Sequence, residues 1–253
     1  MRRILMIGIV AFTAAPLAAA DRTRPEVPLV IDGQGGITVA VRVNDAGPYT
    51  FLLDTGASRS IVSDELAQEL GAPVVARTEV VTNEGSDMRV VVRLSSVILA
   101  SARVDALLAP VLPAAQLGRA GRGVRGVLGQ DFLSSFNYTL DYRRSRLTWD
   151  EPLTCEAPGA VRMTAAEGRF VLVAQADGGS LRLVPDTGAE IAFLFRGNPR
   201  PRTSAFRIGD VILREVRTAI VDREDPNVDG LLPLHGFRAV SFAAGGSCLV
   251  VRK

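Results

Sequence analysis

The chain has 253 residues, 47% of them hydrophobic and 22% charged, with 29 basic and 27 acidic side chains. That much apolar material with moderate charge builds a buried core, which excludes a disordered chain and a membrane-embedded bundle. The basic residues Arg119, Arg122 and Arg125 are spaced by glycine with no interleaved aromatics, so they read as a solvated loop and nothing points to nucleic acid.

In chain order, Arg2 and Arg3 precede an apolar run from Ile4 to Leu17 and then Ala18-Ala19-Ala20, ahead of the polar Asp21. This is the pattern of a secretory signal peptide over residues 1–20, and it predicts a periplasmic or secreted protein with no stable membrane insertion once the signal is removed. Next, VRVNDAGPYTFLLDTGA (Val41 to Ala57) reads as a hairpin that ends on Asp54. Ser63 to Leu70 reads as a helix, with Ser63 as N-cap and Gly71 just beyond its end. EVVTNEGSDMRVVV then holds two β-branched runs around a polar turn, a projecting hairpin whose tip is Asn83, Glu84, Gly85, Ser86, Asp87 and Met88. Gly126-Val127-Leu128-Gly129 leads into a short amphipathic segment, and NYTLDY and RLTW form a further pair of short strands. Asp150 to Gly159, polar and proline-rich without periodicity, is the natural linker.

Beyond the linker the order recurs. VAQADGGSLRLVPDTGA (Val173 to Ala189) lies over the first hairpin without a gap and ends on Asp186, Gly230-Leu231-Leu232-Pro233 follows, and AVSF and CLVV close the chain. Such a repeat predicts two related halves, a first lobe over 21–150 and a second over 151–253. The halves are unequal: 72 positions separate Asp54 from Gly126 but only 44 separate Asp186 from Gly230, so the projecting hairpin belongs to the first half. Cys155 and Cys248 stand near the start and end of the second half and are candidates for a disulfide in an exported chain.

An aspartate at the end of an apolar strand, followed by threonine and glycine, places a carboxylate at a tight turn among backbone donors. Two copies related by a pseudo-twofold axis would bring Asp54 and Asp186 face to face, and two carboxylates that close share one proton. The ionised member can then take a proton from water while the protonated one polarises a carbonyl. With Asp54-Thr55-Gly56-Ala57-Ser58, Val127-Leu128-Gly129 and the partners Asp186-Thr187-Gly188-Ala189 and Leu231-Leu232-Pro233, the chain resembles pepsin and retropepsin-type aspartic proteases over nearly all of its mature length.

The resemblance implies an all-β fold with few short helices, in two pseudo-twofold lobes, with an extended polypeptide bound between them. It implies an aspartic endopeptidase with Asp54 and Asp186 as the catalytic pair and the threonines tying the two loops together. No cofactor and no metal are expected: His235, the only histidine, has no acidic or cysteine partner at ligand spacing, and no Gly-x-Ser-x-Gly accompanies it to suggest a serine triad. The departures lie in the second half, where Pro185 and Pro233 each remove a backbone donor and Glu190 replaces Ser58, suggesting a lobe under looser constraint. Two other readings stand beside the monomeric peptidase: a noncatalytic exported module that grips a peptide by strand addition, and a homodimer that works through Asp54 alone.

Overall fold

The computed structural model describes residues 26–82, 85–150, 152–176, 179–195 and 205–253. The expected signal peptide, Asn83 and Glu84 lie outside them. The described chain is all-β with three short α-helices, Asp64–Glu69, Ala114–Leu117 and Gln130–Leu133. Ser63 caps the first as the sequence predicts, its hydroxyl accepting the Leu66 amide at 3.0 Å.

Each half builds its own sheet around the same five strands. In the first, Ile37–Val43 and Ala46–Leu53 form the hairpin, Val124–Leu128 lies parallel beside Ala46–Leu53, and Ile61–Ser63 and Ala102–Leu112 follow. In the second, Arg169–Ala176, Gly179–Asp186, Gly230–Pro233, Ala192–Phe195 and Thr218–Val221 repeat that order, with the same parallel and antiparallel senses. The register makes the halves superimposable residue by residue: Leu52 pairs with Val127 as Val184 pairs with Leu231, and Ile61 pairs with Val127 as Phe193 pairs with Leu231.

The alternation of the strands accounts for the core. Ile37–Val43 buries Ile37, Val39, Val41 and Val43 on one face, a period-two pattern that turns its other face outward. Glycines stand where a strand crosses another closely: a methyl on Gly230 would lie 2.2 Å from the Phe193 carbonyl oxygen, and one on Gly126 would lie 2.6 Å from that of Ile61. The first lobe adds the long hairpin Val74–Thr82 and Gly85–Leu99, paired from Thr82↔Gly85 to Val74↔Val92.

A third, six-stranded sheet belongs to both halves. Its order is Val27–Pro28, Arg146–Trp149, Tyr138–Asp141, Ala239–Phe242, Cys248–Arg252 and Ala160–Arg162, so three strands from each half meet at its centre. There Tyr138 pairs with Phe242 and Leu140 with Val240, and the Tyr138 and Phe242 rings stack at 4.9 Å. Cys155, in the segment between the halves, is disulfide-bonded to Cys248 on this sheet across 93 positions. Closing a loop of that size restricts the unfolded chain. Replacing both cysteines by serine should therefore lower stability by up to about 4 kcal/mol, read as a drop in the urea midpoint.

Candidate active site

The strands Ala46–Leu53 and Gly179–Asp186 end at the same place, where the two lobes face each other, and each delivers its aspartate there. The loops are locked reciprocally. The Thr55 hydroxyl donates to the Pro185 carbonyl at 2.8 Å and accepts the Thr187 amide at 3.0 Å, while the Thr187 hydroxyl donates to the Leu53 carbonyl at 2.6 Å and accepts the Thr55 amide at 3.0 Å. Both threonines are buried, so these four bonds form away from water, where an unmade bond is expensive.

Within this frame the two carboxylates come close enough to interact, each packed against the glycine of the opposite loop. The two glycines make room for that approach: a methyl on Gly56 would lie 2.5 Å from Asp186 Oδ2, and one on Gly188 would lie 3.1 Å from Asp54 Oδ2. Asp54 Oδ1 accepts the amides of Gly56 at 2.8 Å and Ala57 at 3.1 Å, and Asp186 Oδ1 accepts the amide of Gly188 at 2.7 Å. Burial pushes the Asp54 carboxyl above the ordinary aspartate range, and its amide donors pull it back. Asp186, 6% exposed, is held well above that range, first by burial and then by the charge of Asp54 beside it. Two buried carboxyls this close favour sharing one proton, and Asp186 is the more strongly raised of the two.

The prolines of the second half fit this arrangement. Pro185 stands where the first half has Leu53, and both carbonyls point across to the opposite threonine. Backbone N–H and C=O of one strand residue point to the same side in a parallel ladder, so the N–H that Pro185 lacks would have faced away from Gly230–Pro233. Pro233 takes the place of Gly129, whose amide donates to Ser60 Oγ at 3.0 Å. The residue equivalent to Ser60 is Ala192, with no oxygen to offer, so the donor that Pro233 removes has no acceptor to lose. Expected signs of a looser lobe are thus two substitutions matched to their surroundings.

The carboxylates lie in a cleft of about 540 Å³ bounded by both lobes. The projecting hairpin reaches it through Thr78, Glu79, Val80 and Val81, on its first strand. Of the predicted tip residues, Gly85, Ser86 and Asp87 line a smaller adjoining pocket of about 240 Å³, and Met88 is exposed. Ala57, Ser58 and Ala189 line the cleft beside the carboxylates. Sequence reasoning missed Gln130, whose buried Nε2 donates to the Thr55 carbonyl at 2.8 Å, and Asp131, which accepts both the amide and the hydroxyl of Ser60. Together they brace the first loop from behind. It also missed the charged wall of the second lobe, formed by Glu167, Arg169 and Arg223. No cluster of side chains suited to a metal ion occurs among the described residues.

No curated protein matches the chain. A solved retropepsin-like aspartic protease from Rickettsia conorii is similar over 44% of this chain and 80% of its own, at 22% identity and a TM-score of 0.34. Residues 39–132, which hold Asp54 and end within the Gln130–Leu133 helix, match the family model described as aspartyl protease. That match covers 94 of the 253 residues, and the likeness to aspartic proteases is carried by this first-lobe segment. The match stops short of the second lobe, and Asp186 is related to Asp54 by the internal repeat alone.

Replacing Thr55 by Val strands the Thr187 amide and the Pro185 carbonyl, and should cost about 2–4 kcal/mol in denaturant unfolding. Asp186→Asn should act in the opposite sense. Because the folded-state value of Asp186 is raised, its contribution to stability is lost as pH climbs from the ordinary aspartate value through the folded one. The Asn variant escapes that loss, so its unfolding midpoint should exceed that of the wild type at neutral pH and converge with it in acid.

Proposed function

We propose that the protein is an aspartic endopeptidase that hydrolyses an extended polypeptide with water activated between Asp54 and Asp186. The observation that carries this reading is the pair of facing carboxylates, each at the end of its own lobe's strand and both lining one cleft of about 540 Å³. Ionised Asp54 takes a proton from the water as its oxygen attacks the scissile carbonyl carbon. Protonated Asp186 donates its hydrogen bond to the carbonyl oxygen, and the charge that develops there is met by a proton already in place. The resulting tetrahedral diol, which has taken the Asp186 proton, collapses as Asp54 passes the water's proton to the departing nitrogen and Asp186 recovers its own, and the C–N bond breaks. No covalent enzyme intermediate and no cofactor take part.

The six-stranded sheet supports an intramolecular pair over a homodimer. The edge of Tyr138–Asp141 that would meet a second copy is occupied by Ala239–Phe242 of the same chain. A monomer follows. The disulfide supports an exported, periplasmic or secreted setting, since such bonds persist in oxidising compartments.

Cleavage of a diverse peptide library by purified protein, with Asp54→Asn and Asp186→Asn alongside, tests the reading. Each variant should lose at least about a thousandfold in kcat/KM while remaining folded. An Asp186→Asn protein with wild-type turnover would point to the homodimer, and three equally inert proteins that still bind peptide would point to the binding module. The pH profile should be a bell, rising as Asp54 loses its proton and falling as Asp186 loses its own. Since both carboxyls are raised, both limbs should lie above the ordinary aspartate value of about 3.9.

A further inference from the structure

The two sides of the cleft are built from equivalent strand positions but carry unlike chemistry. In the first lobe, Ile61, Leu112 and Val127 form an apolar patch with Leu117, and Val80 of the projecting hairpin packs on it. The strand register puts Phe193, Val221 and Leu231 at the corresponding places of the second lobe. Beyond Leu112 the first lobe continues into the apolar helix Ala114–Leu117. Beyond Val221 the second continues into Asp222-Arg223-Glu224-Asp225, and the Arg223 guanidinium turns back over the Phe195 ring at 5.0 Å from its centroid.

Arg223 is half-buried and lines the cleft, and among the described residues no carboxylate is hydrogen-bonded to its guanidinium. The other cation of this wall, Arg169, is committed: its Nη2 lies 2.9 Å from Asp225 Oδ2 and 3.5 Å from Glu167 Oε2. Asp225 is committed as well, its other oxygen accepting the amides of Asn227 at 2.9 Å and Val228 at 3.1 Å. Asp222 and Glu224 flank Arg223 in sequence, but neither lines the cleft. Asp225 also lies within electrostatic reach of Arg223 but makes no hydrogen bond to it, so the guanidinium keeps its donors on this wall open to a ligand. It lines the cleft together with the apolar Phe193 and Leu231, and its position over Phe195 orders it before any ligand arrives.

We propose that this second-lobe subsite takes an acidic side chain, with the methylene stem of a glutamate over Phe193 and Leu231 and its carboxylate on the Arg223 guanidinium. The first-lobe subsite, on the other side of the carboxylate pair, takes an aliphatic one. The inference rests on the peptidase reading for its substrate and deepens it: the preferred peptide joins an aliphatic residue to an acidic one across the scissile bond. A guanidinium and a carboxylate meet through parallel charge-assisted hydrogen bonds, which a glutamine cannot reproduce.

The test uses two sets of synthetic peptides in which glutamate or glutamine occupies one residue beside a candidate scissile bond and an aliphatic residue occupies the other, in both orders. It is run at about pH 6, where a free glutamate is ionised. Two quantities are read: kcat/KM of the wild type, and the dissociation constant of each peptide from the Asp54→Asn protein. Glutamate should be favoured over glutamine by roughly tenfold in one of the two orders. Arg223→Gln should bring that ratio to about one, and Arg223→Glu should move the preference to lysine, a reversal that a purely structural arginine would not give. Cleavage by the wild type with equal use of glutamate and glutamine, or a preference that survives Arg223→Gln, overturns the subsite and leaves the peptidase reading standing. A glutamate preference in binding without any turnover keeps the subsite and removes the peptidase reading. Absence of both binding and cleavage removes both.

Discussion

Everything at the centre of this molecule depends on four hydrogen bonds exchanged between Thr55 and Thr187. Each threonine uses its hydroxyl both to donate to a carbonyl at the end of the opposite lobe's strand and to accept the opposite threonine's amide. The exchange satisfies both threonine hydroxyls, both threonine amides and the carbonyls of Leu53 and Pro185, and it ties the two turns together. Two carboxylates placed so close would repel each other and separate on a flexible support. Here they are held together, and the system lowers its energy by keeping one proton between them. The chemistry follows from the restraint.

The restraint also explains why the halves can differ elsewhere. Within the exchange, the backbone carbonyls of Leu53 and Pro185 are equivalent, so the side chain or ring attached to them is free to change. Behind the first loop, Ser60, Gln130 and Asp131 supply further polar bracing. Behind the second, Ala192 and Pro233 replace the Ser60 and Gly129 positions with apolar contact. Two local solutions support one shared geometry. The same latitude extends to the cleft walls, where an apolar helix on one side is matched by an arginine on the other.

Much of this was legible in the sequence because the repeat is ungapped from Val41 to Ala57 against Val173 to Ala189. Both aspartates, both hairpins, the two lobes and the all-β class follow from it. The helix over Asp64–Glu69 was readable because its cap and its stop are local features. What was not legible depends on contacts between distant residues. That NYTLDY and AVSF pair with each other is such a contact, as is the support Gln130 gives to Thr55. The cleft-facing part of the projecting hairpin was misplaced toward its tip for a related reason. Both faces of that hairpin mix β-branched and polar residues, so no alternation tells the inner face from the outer. Pro185 looked disruptive because sequence does not reveal which side of a strand a missing amide would face.

The six-stranded sheet has a further bearing on how the molecule behaves in a crowded solution. A sheet with open edges invites a strand from a neighbour, and long flat edges are the usual starting point of aggregation. This one terminates in Val27–Pro28 on one side and Ala160–Arg162 on the other, strands of two and three residues. Pro28 has no amide hydrogen to offer, and Arg162 puts an exposed charge, paired with Glu156, at the opposite border. Among the described residues, the sheet that joins the two halves thus ends in short strands on both sides, and it gives a passing chain little backbone to extend.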